Sequence, residues 1–336
     1  MTLDSTRRRP VIALAMGDPA GISPELTARL ALSHRVREAA TLVVIGDQRV
    51  FEEGARVAAL EISLPVIKQE SHSKSDVSAH SFIDLENLDP AQIVKGEATL
   101  DGGRFAIENF RTALELARDG KVDAVCFTPF NKKAMRYAYP GYDDEIRFIA
   151  DVLKYDRKMR EFNVLEKIWN ARVTSHIPIS AVASHITEEA ILAELDLTRK
   201  CLIEAGINEP KIAVAGLNPH AGDGGTFGRE EIDIIAPAIA RAVEHGWKVE
   251  GAFPADTVFL TALRNGFHAV LTMYHDQGQI AMKMMGFDRG VTMFGGLPFP
   301  VCTPAHGTAY DIVDQGIANV GASEQAVLLA ARMAAR

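Results

Sequence analysis

Short apolar runs alternate along this chain with polar or glycine-rich loops and with stretches of helical period. Residues 11–16 form such a run and predict a buried strand. Gly17-Asp18-Pro19-Ala20-Gly21 reads as a turn, and Pro24 opens a helix through Leu32, because proline suits a first helical turn. Residues 41–46 predict a second strand. Over residues 101–119, Phe105, Ile107, Phe110, Leu114 and Ala117 share about one helical face, and Gly120 supplies the stop. Residues 122–127 follow as a strand ended by Pro129. The rhythm continues at residues 172–175, 211–217 and 269–274, each with a helical stretch nearby. Residues 70–96, in contrast, are polar and irregular and predict a surface excursion; His34, His72 and His80 are expected to be solvated.

Strands alternating with helices predict an α/β fold built on mostly parallel sheets covered on both faces. At 336 residues the chain is long for one domain and comfortable for two. A formal net charge of −8 argues against nucleic acid or an anionic membrane as the main partner, but leaves room for an anionic small-molecule substrate. Cys126, Cys201 and Cys302 are distant from one another and odd in number, which suggests no disulfide framework and fits a reducing cytoplasm. No apolar run approaches the roughly 20 residues of a membrane span. The basic opening through Arg9 is followed by too short an apolar stretch for a signal peptide, so it reads as a disordered tip before the first strand.

In open parallel sheets ligands gather outside the carboxyl ends of the strands. His176, His220 and His275 each fall at such a predicted end. They lie too far apart in sequence for a zinc-finger site, so only the fold or a subunit interface brings them together. Neutral imidazoles suit zinc, nickel, cobalt or iron, and three of them leave a position open for substrate. The plainer alternative is that one or more simply caps a strand end. Asp256 reads either as a carboxylate serving a metal site or a proton transfer, or as a helix N-cap before Thr257. The loops 17–21 and 222–225 match neither a dinucleotide-binding glycine fingerprint nor a P-loop.

At this point a resemblance is legible. Gly17-Asp-Pro-Ala-Gly21, Asn131-Lys132, Leu217-Asn-Pro-His-Ala-Gly-Asp-Gly-Gly225, Pro254-Ala-Asp-Thr257, Met273-Tyr-His-Asp-Gln-Gly278 and His306-Gly-Thr-Ala309 resemble the 4-hydroxythreonine-4-phosphate dehydrogenase family of pyridoxine biosynthesis. The resemblance runs from about residue 11 to the end of the chain. It implies a two-domain isopropylmalate-dehydrogenase-like fold with the active site in the cleft between domains, drawn here as residues 1–129 with 305–336, and residues 130–304. It implies a homodimer whose sites use both subunits, and a divalent metal (zinc, or magnesium, cobalt, manganese or nickel) held at His176, His220 and His275. It implies NAD as cofactor, with Asn218, Gly222, His306, Gly307 and Asp311 as its contacts. A carboxylate at Asp311 would repel a 2′-phosphate, which favours NAD over NADP. The implied reaction oxidises a secondary alcohol of a small 3-hydroxy acid and then releases carbon dioxide, with Asp256 and Lys283 as catalytic candidates.

The substrate pocket departs from the family pattern. Tyr142-Asp143 stands where the family has His-Thr, Thr292 where it has asparagine, and Val301 where it has a substrate-holding arginine. Valine offers none of the forked donors with which arginine grips phosphate. Tyr142, Asp143, Lys283 and Thr292 are thus the expected substrate contacts, with Arg147 and Arg289 the nearby cations able to compensate. Two substrate readings stay open: the phosphorylated hydroxythreonine, or a different acid such as a four-carbon sugar acid or a cis-dihydrodiol carboxylate. A rival from another class is an acyltransferase resembling phosphotransacetylases. It would need neither metal nor NAD, so the three histidines and Asp311 speak against it.

Overall fold

A computed structural model describes residues 8–70, 72–75 and 77–335. The expected tip therefore falls largely outside the described residues, as do Ser71 and Asp76 of the hydrophilic segment. Contacts divide the chain into a first unit, residues 1–159 with 291–336, and a second unit, residues 160–290. Among the described residues no helix is long and apolar enough to cross a membrane.

The strands, numbered in chain order, are β1 (Val11–Ala15), β2 (Thr41–Gly46), β3 (Ser81–Asp84), β4 (Ala124–Phe127), β5 (Arg160–Val164), β6 (Trp169–Arg172), β7 (Lys211–Ala215), β8 (Lys248–Phe253), β9 (Ala269–Thr272), β10 (Val291–Gly295) and β11 (Val301–Pro304). In the first unit the spatial order is β3-β2-β1-β4-β11-β10. All neighbours run parallel except the β10–β11 pair. In the second the order is β5-β6-β9-β7-β8, with only β5–β6 antiparallel. Every residue of β1, β2, β4 and β9 is buried. That is the continuous apolar strand a parallel sheet requires when helices cover both faces.

The helix Leu100–Arg118 shows how the elements are specified. Thr99 caps it by accepting from the Gly102 amide at 3.1 Å, Asp101 sits in the first turn and Arg118 in the last. Its buried face carries Phe105 and Phe110, and the Phe110 ring packs on Phe127 at 4.6 Å and on Phe148 at 5.5 Å between centroids.

Two sequence expectations need correction. The boundary drawn at residues 129 and 305 moves to 159 and 291. Met135, Phe148, Ile149 and Val152 from the helices Lys132–Ala138 and Glu145–Leu153 join the apolar core of the first unit, together with Phe294 and Val301. β11 also pairs in parallel with β4. The second correction concerns the polar segment 70–96, which contains β3, paired in parallel with β2 and buried over its first three residues. A strand of four residues with two apolar ones has no period to detect.

His80, expected in solvent, is buried beside that strand; His72 is buried too, whereas His34 is exposed as expected. The Leu42 amide donates to His80 Nδ1 at 3.1 Å. Burial, with Arg37 and Arg9 nearby, depresses the imidazole pKa from 6.5 to about 4. The unfolded chain therefore binds this proton between pH 6.5 and 4 while the folded chain does not. Stability from this group is present above pH 6.5 and is lost as pH falls towards 4, by roughly 3 kcal/mol for a complete one-proton difference. His80→Asn keeps an acceptor for the Leu42 amide and removes the titration. Urea unfolding at pH 7 and pH 4.5 is expected to show a smaller acid loss in the variant; equal losses would mean His80 titrates normally.

Candidate active site

In the first unit, strand order reverses between β1 and β4, with β2 and β3 on one side and β11 and β10 on the other. The loops leaving β1 and β4 at this point are tightly joined. The Gly17 amide donates to Thr128 Oγ1 at 2.8 Å and the Asp18 amide to the Pro129 carbonyl at 2.9 Å. A Cβ on Gly17 would stand 2.2 Å from the Thr128 carbonyl oxygen, so glycine is needed for the close approach.

Over this junction lies the segment from His306. Tyr310 donates its hydroxyl to Asp18 Oδ2 at 2.5 Å, and Asn131 Nδ2 donates to the same hydroxyl at 2.9 Å. Asp18 is 2% exposed. Burial pushes its carboxyl above the usual range, against the opposing effects of Tyr310, the Ala20 amide and the Lys95 charge. Burial and then Asp18 itself push the Tyr310 phenol well up. Of the expected cofactor residues, His306, Gly307 and Asp311 lie together here. Asp311 is exposed on the short turn Tyr310–Ile312, with no hydrogen bond or ion pair to its carboxylate among the described residues. A Cβ on Gly307 would meet nothing within 4 Å.

The other two expected cofactor residues, Asn218 and Gly222, belong to the second unit and are occupied structurally. Asn218 Nδ2 donates to Glu230 at 2.7 Å and to Glu231 at 2.9 Å. A Cβ on Gly222 would stand 2.7 Å from the Glu231 carboxylate. In the turn that follows Pro219, His220, Ala221, Gly222, Asp223 and Gly224 all have positive φ, at 54°, 53°, 81°, 45° and 66°. Each L-residue held in that region costs about 1–2 kcal/mol. Glu231, 5% exposed, holds the turn's entry by accepting from the Leu217 and Asn218 amides, both at 2.7 Å. Those hydrogen bonds outweigh the burial cost and keep its carboxyl below the usual range.

His176 follows β6, and His275 opens the helix His275–Gly286 directly after β9. Their ring centroids are 5.9 Å apart. With metal–nitrogen distances near 2.0–2.1 Å, two imidazoles on one ion hold their centroids roughly 5–6 Å apart, so this pair fits a shared divalent metal. Asp276 Oδ1 lies 2.7 Å from His275 Nδ1. In a neutral imidazole whose Nδ1–H donates to this carboxylate, Nε2 is the nitrogen with a lone pair to offer a metal. His220 packs against Phe227 instead, with centroids 6.1 Å apart. Among the described residues of one chain, no three His, Cys, Asp or Glu side chains come close enough to hold a metal.

The remaining candidates scatter. Asp256 and Lys283 are exposed, and the helix Val258–Arg264 has no side-chain cap, so Asp256 is not its N-cap. Tyr142 and Val301, expected at the substrate pocket, are both buried in the apolar core of the first unit. Thr292 is partly buried on β10. Asp143 pairs with Arg147 at 2.6 Å, and Arg289 lies 3.8 Å from Asp288. All three cysteines are buried thiols, and burial pushes Cys302 well above its usual range. Sequence reasoning missed Asp18, Tyr310, Glu231 and Asp276 as working residues; only their places beside the glycine- and histidine-bearing loops signalled them.

Tyr310→Phe removes the Asp18 donor while keeping the ring. Leaving a buried carboxylate short of one hydrogen bond costs about 1–3 kcal/mol. A lowered urea midpoint at unchanged m-value is the expected result, and an unchanged midpoint would show that Asp18 finds another donor.

With this geometry in view, comparison with known proteins is informative. A model of the family described as pyridoxal phosphate biosynthetic protein PdxA matches residues 38–330. A relative from Rhizobium meliloti (strain 1021), described as putative 4-hydroxythreonine-4-phosphate dehydrogenase 2, is 68% identical over 98% of this chain and 95% of its own length. The crystal structure of 4-hydroxythreonine-4-phosphate dehydrogenase from Klebsiella pneumoniae is similar at 32% identity and a TM-score of 0.85, covering 99% of this chain and all of that one. A terephthalate 1,2-cis-dihydrodiol dehydrogenase from Burkholderia xenovorans LB400 follows at 26% identity and a TM-score of 0.67, covering 96% and 98% of the two chains.

Proposed function

The chain belongs to the PdxA family, whose relatives are dehydrogenases, and from that premise we propose an NAD-dependent, divalent-metal-dependent dehydrogenase of a small 3-hydroxy acid. The observation that carries the metal half of this reading is the His176–His275 pair, with Asp276 fixing the ring of His275. One chain presents two imidazoles, so the third is His220 of the partner subunit in a homodimer with shared sites. Bound together, the two groups supply Lewis-acid polarisation of a hydroxyl oxygen and a hydride acceptor.

The chain's own residues do the rest. Asp311, unengaged and exposed, accepts from ribose hydroxyls, beside the turn that Tyr310 pins to Asp18. Lys283 offers an exposed cation to a substrate carboxylate, and Asp256 an exposed carboxylate to take the hydroxyl proton. The buried thiols suit a cytoplasmic protein.

A second reading concerns the substrate. Val301 and Tyr142 face an apolar core, and Arg147 and Arg289 already face carboxylates. These placements favour an acid without phosphate, such as a four-carbon sugar acid or a cis-dihydrodiol carboxylate, over 4-phosphohydroxythreonine. NADH formation by purified protein, measured over a panel of both kinds, separates the two.

Chelation is expected to abolish turnover, and His220→Ala or His275→Ala to lower it at least 100-fold. Mixing those two inactive variants regenerates one intact site per mixed dimer, which on random exchange restores about a quarter of the activity. Restoration would support the shared site; silence from the mixture, with each variant folded and exchanging, would refute it.

A further inference from the structure

The strand ends that carry His220 and His275 are joined by one side chain. Gln277 lies in the first turn of the helix His275–Gly286. Its Oε1 accepts from the Met273 amide at 2.7 Å, just after β9, and its Nε2 donates to the Gly216 carbonyl at 2.7 Å, just after β7. The Gly216 amide donates to Phe253 at 2.8 Å, and the next two amides go to Glu231, so this carbonyl is the fixed root of the left-handed turn. β7 and β9 pair directly, but their ladder ends at Val214 and Leu271. Beyond that register, Gln277 carries the connection onward to the residues that bear imidazoles.

We propose that Gln277 is a positioning residue that sets the His220 turn against the His275 helix start, and so fixes where both imidazoles are presented. This rests on the metal reading above. Both arms are needed: Met273 requires an acceptor and Gly216 a donor, and a primary amide is the side chain that offers both on one group. Glutamate keeps only the acceptor and places a charge against the Gly216 carbonyl. Leucine keeps neither at nearly the same size. The strained turn gives the brace its importance, because His220, Ala221 and Asp223, three non-glycine residues held at positive φ, persist there only when their surroundings over-determine them.

The test uses full-length protein, with cobalt(II) alone as the probe through its visible absorption, and hydrogen exchange read over residues 217–226 without metal. Partners that orient metal ligands typically change affinity by 10- to 100-fold. In Gln277→Leu, cobalt affinity is expected to fall at least tenfold and exchange in the turn to rise at least tenfold, with the cobalt spectrum altered. Gln277→Glu is expected to do the same, and serves should the leucine variant fail to fold. Wild-type affinity, spectrum and exchange in either folded variant would overturn the proposal while leaving the metal reading intact. Wild-type protein that takes up no cobalt would overturn the metal reading, and the role of Gln277 in presenting the imidazoles with it.

Discussion

A parallel strand packed on both faces has no side chain to spare. In β1, β2, β4 and β9 every residue is buried, so chemistry is confined to the places where the backbone leaves the sheet. Those places carry a problem of their own. A segment that has left the ladder still has amides and carbonyls to satisfy. Here they are satisfied by side chains reaching from elsewhere: Glu231 for Leu217 and Asn218, Gln277 for Met273 and Gly216, Thr128 for Gly17. The candidate functional residues and the residues that hold them are thus two interleaved sets. The second is as demanding in chemistry as the first.

The same constraint separates what the sequence discloses from what it hides. Buried strands announce themselves as unbroken apolar runs, and a histidine just past such a run is conspicuous, so β1, β2, β4, β7 and β9 and the positions of His220 and His275 are legible, whereas β6, Trp-Asn-Ala-Arg, is no such run and lies three residues before the strand expected at 172–175. The braces are not. Gln277 and Glu231 are polar residues near the starts of helical segments, where polar residues ordinarily face water. Their partners include Gly216, 61 positions from Gln277, and Leu217, 14 positions from Glu231. His80 hides for a related reason: it closes a largely hydrophilic segment, and it is buried beside the strand that pairs with β2. Nor does a helix record which sheet it will cover. The apolar faces of Lys132–Ala138 and Glu145–Leu153 would suit either unit, and their burial in one core with Phe110, on which Phe148 packs, is a property of the fold.

Charge is managed with similar economy. The chain is acidic overall, yet the arginines near the expected substrate positions are each matched to a neighbouring aspartate. Exposed pairs of this kind contribute little to stability. Their effect is to cancel the field an anion would feel on approach.

The division of the chain also has a consequence for its birth on the ribosome. The second unit is one uninterrupted segment and has all its strands once residue 290 has emerged. The first unit is begun before it and finished after it. Through the whole of that interval β4 has β1 on one side and nothing on the other, because β11 is not yet made. An open strand edge is a template for any passing chain. Four residues, Val301–Pro304, close it. A nascent polypeptide of this protein therefore carries β4 unpaired on one side from the time residue 127 emerges until β11 has followed it.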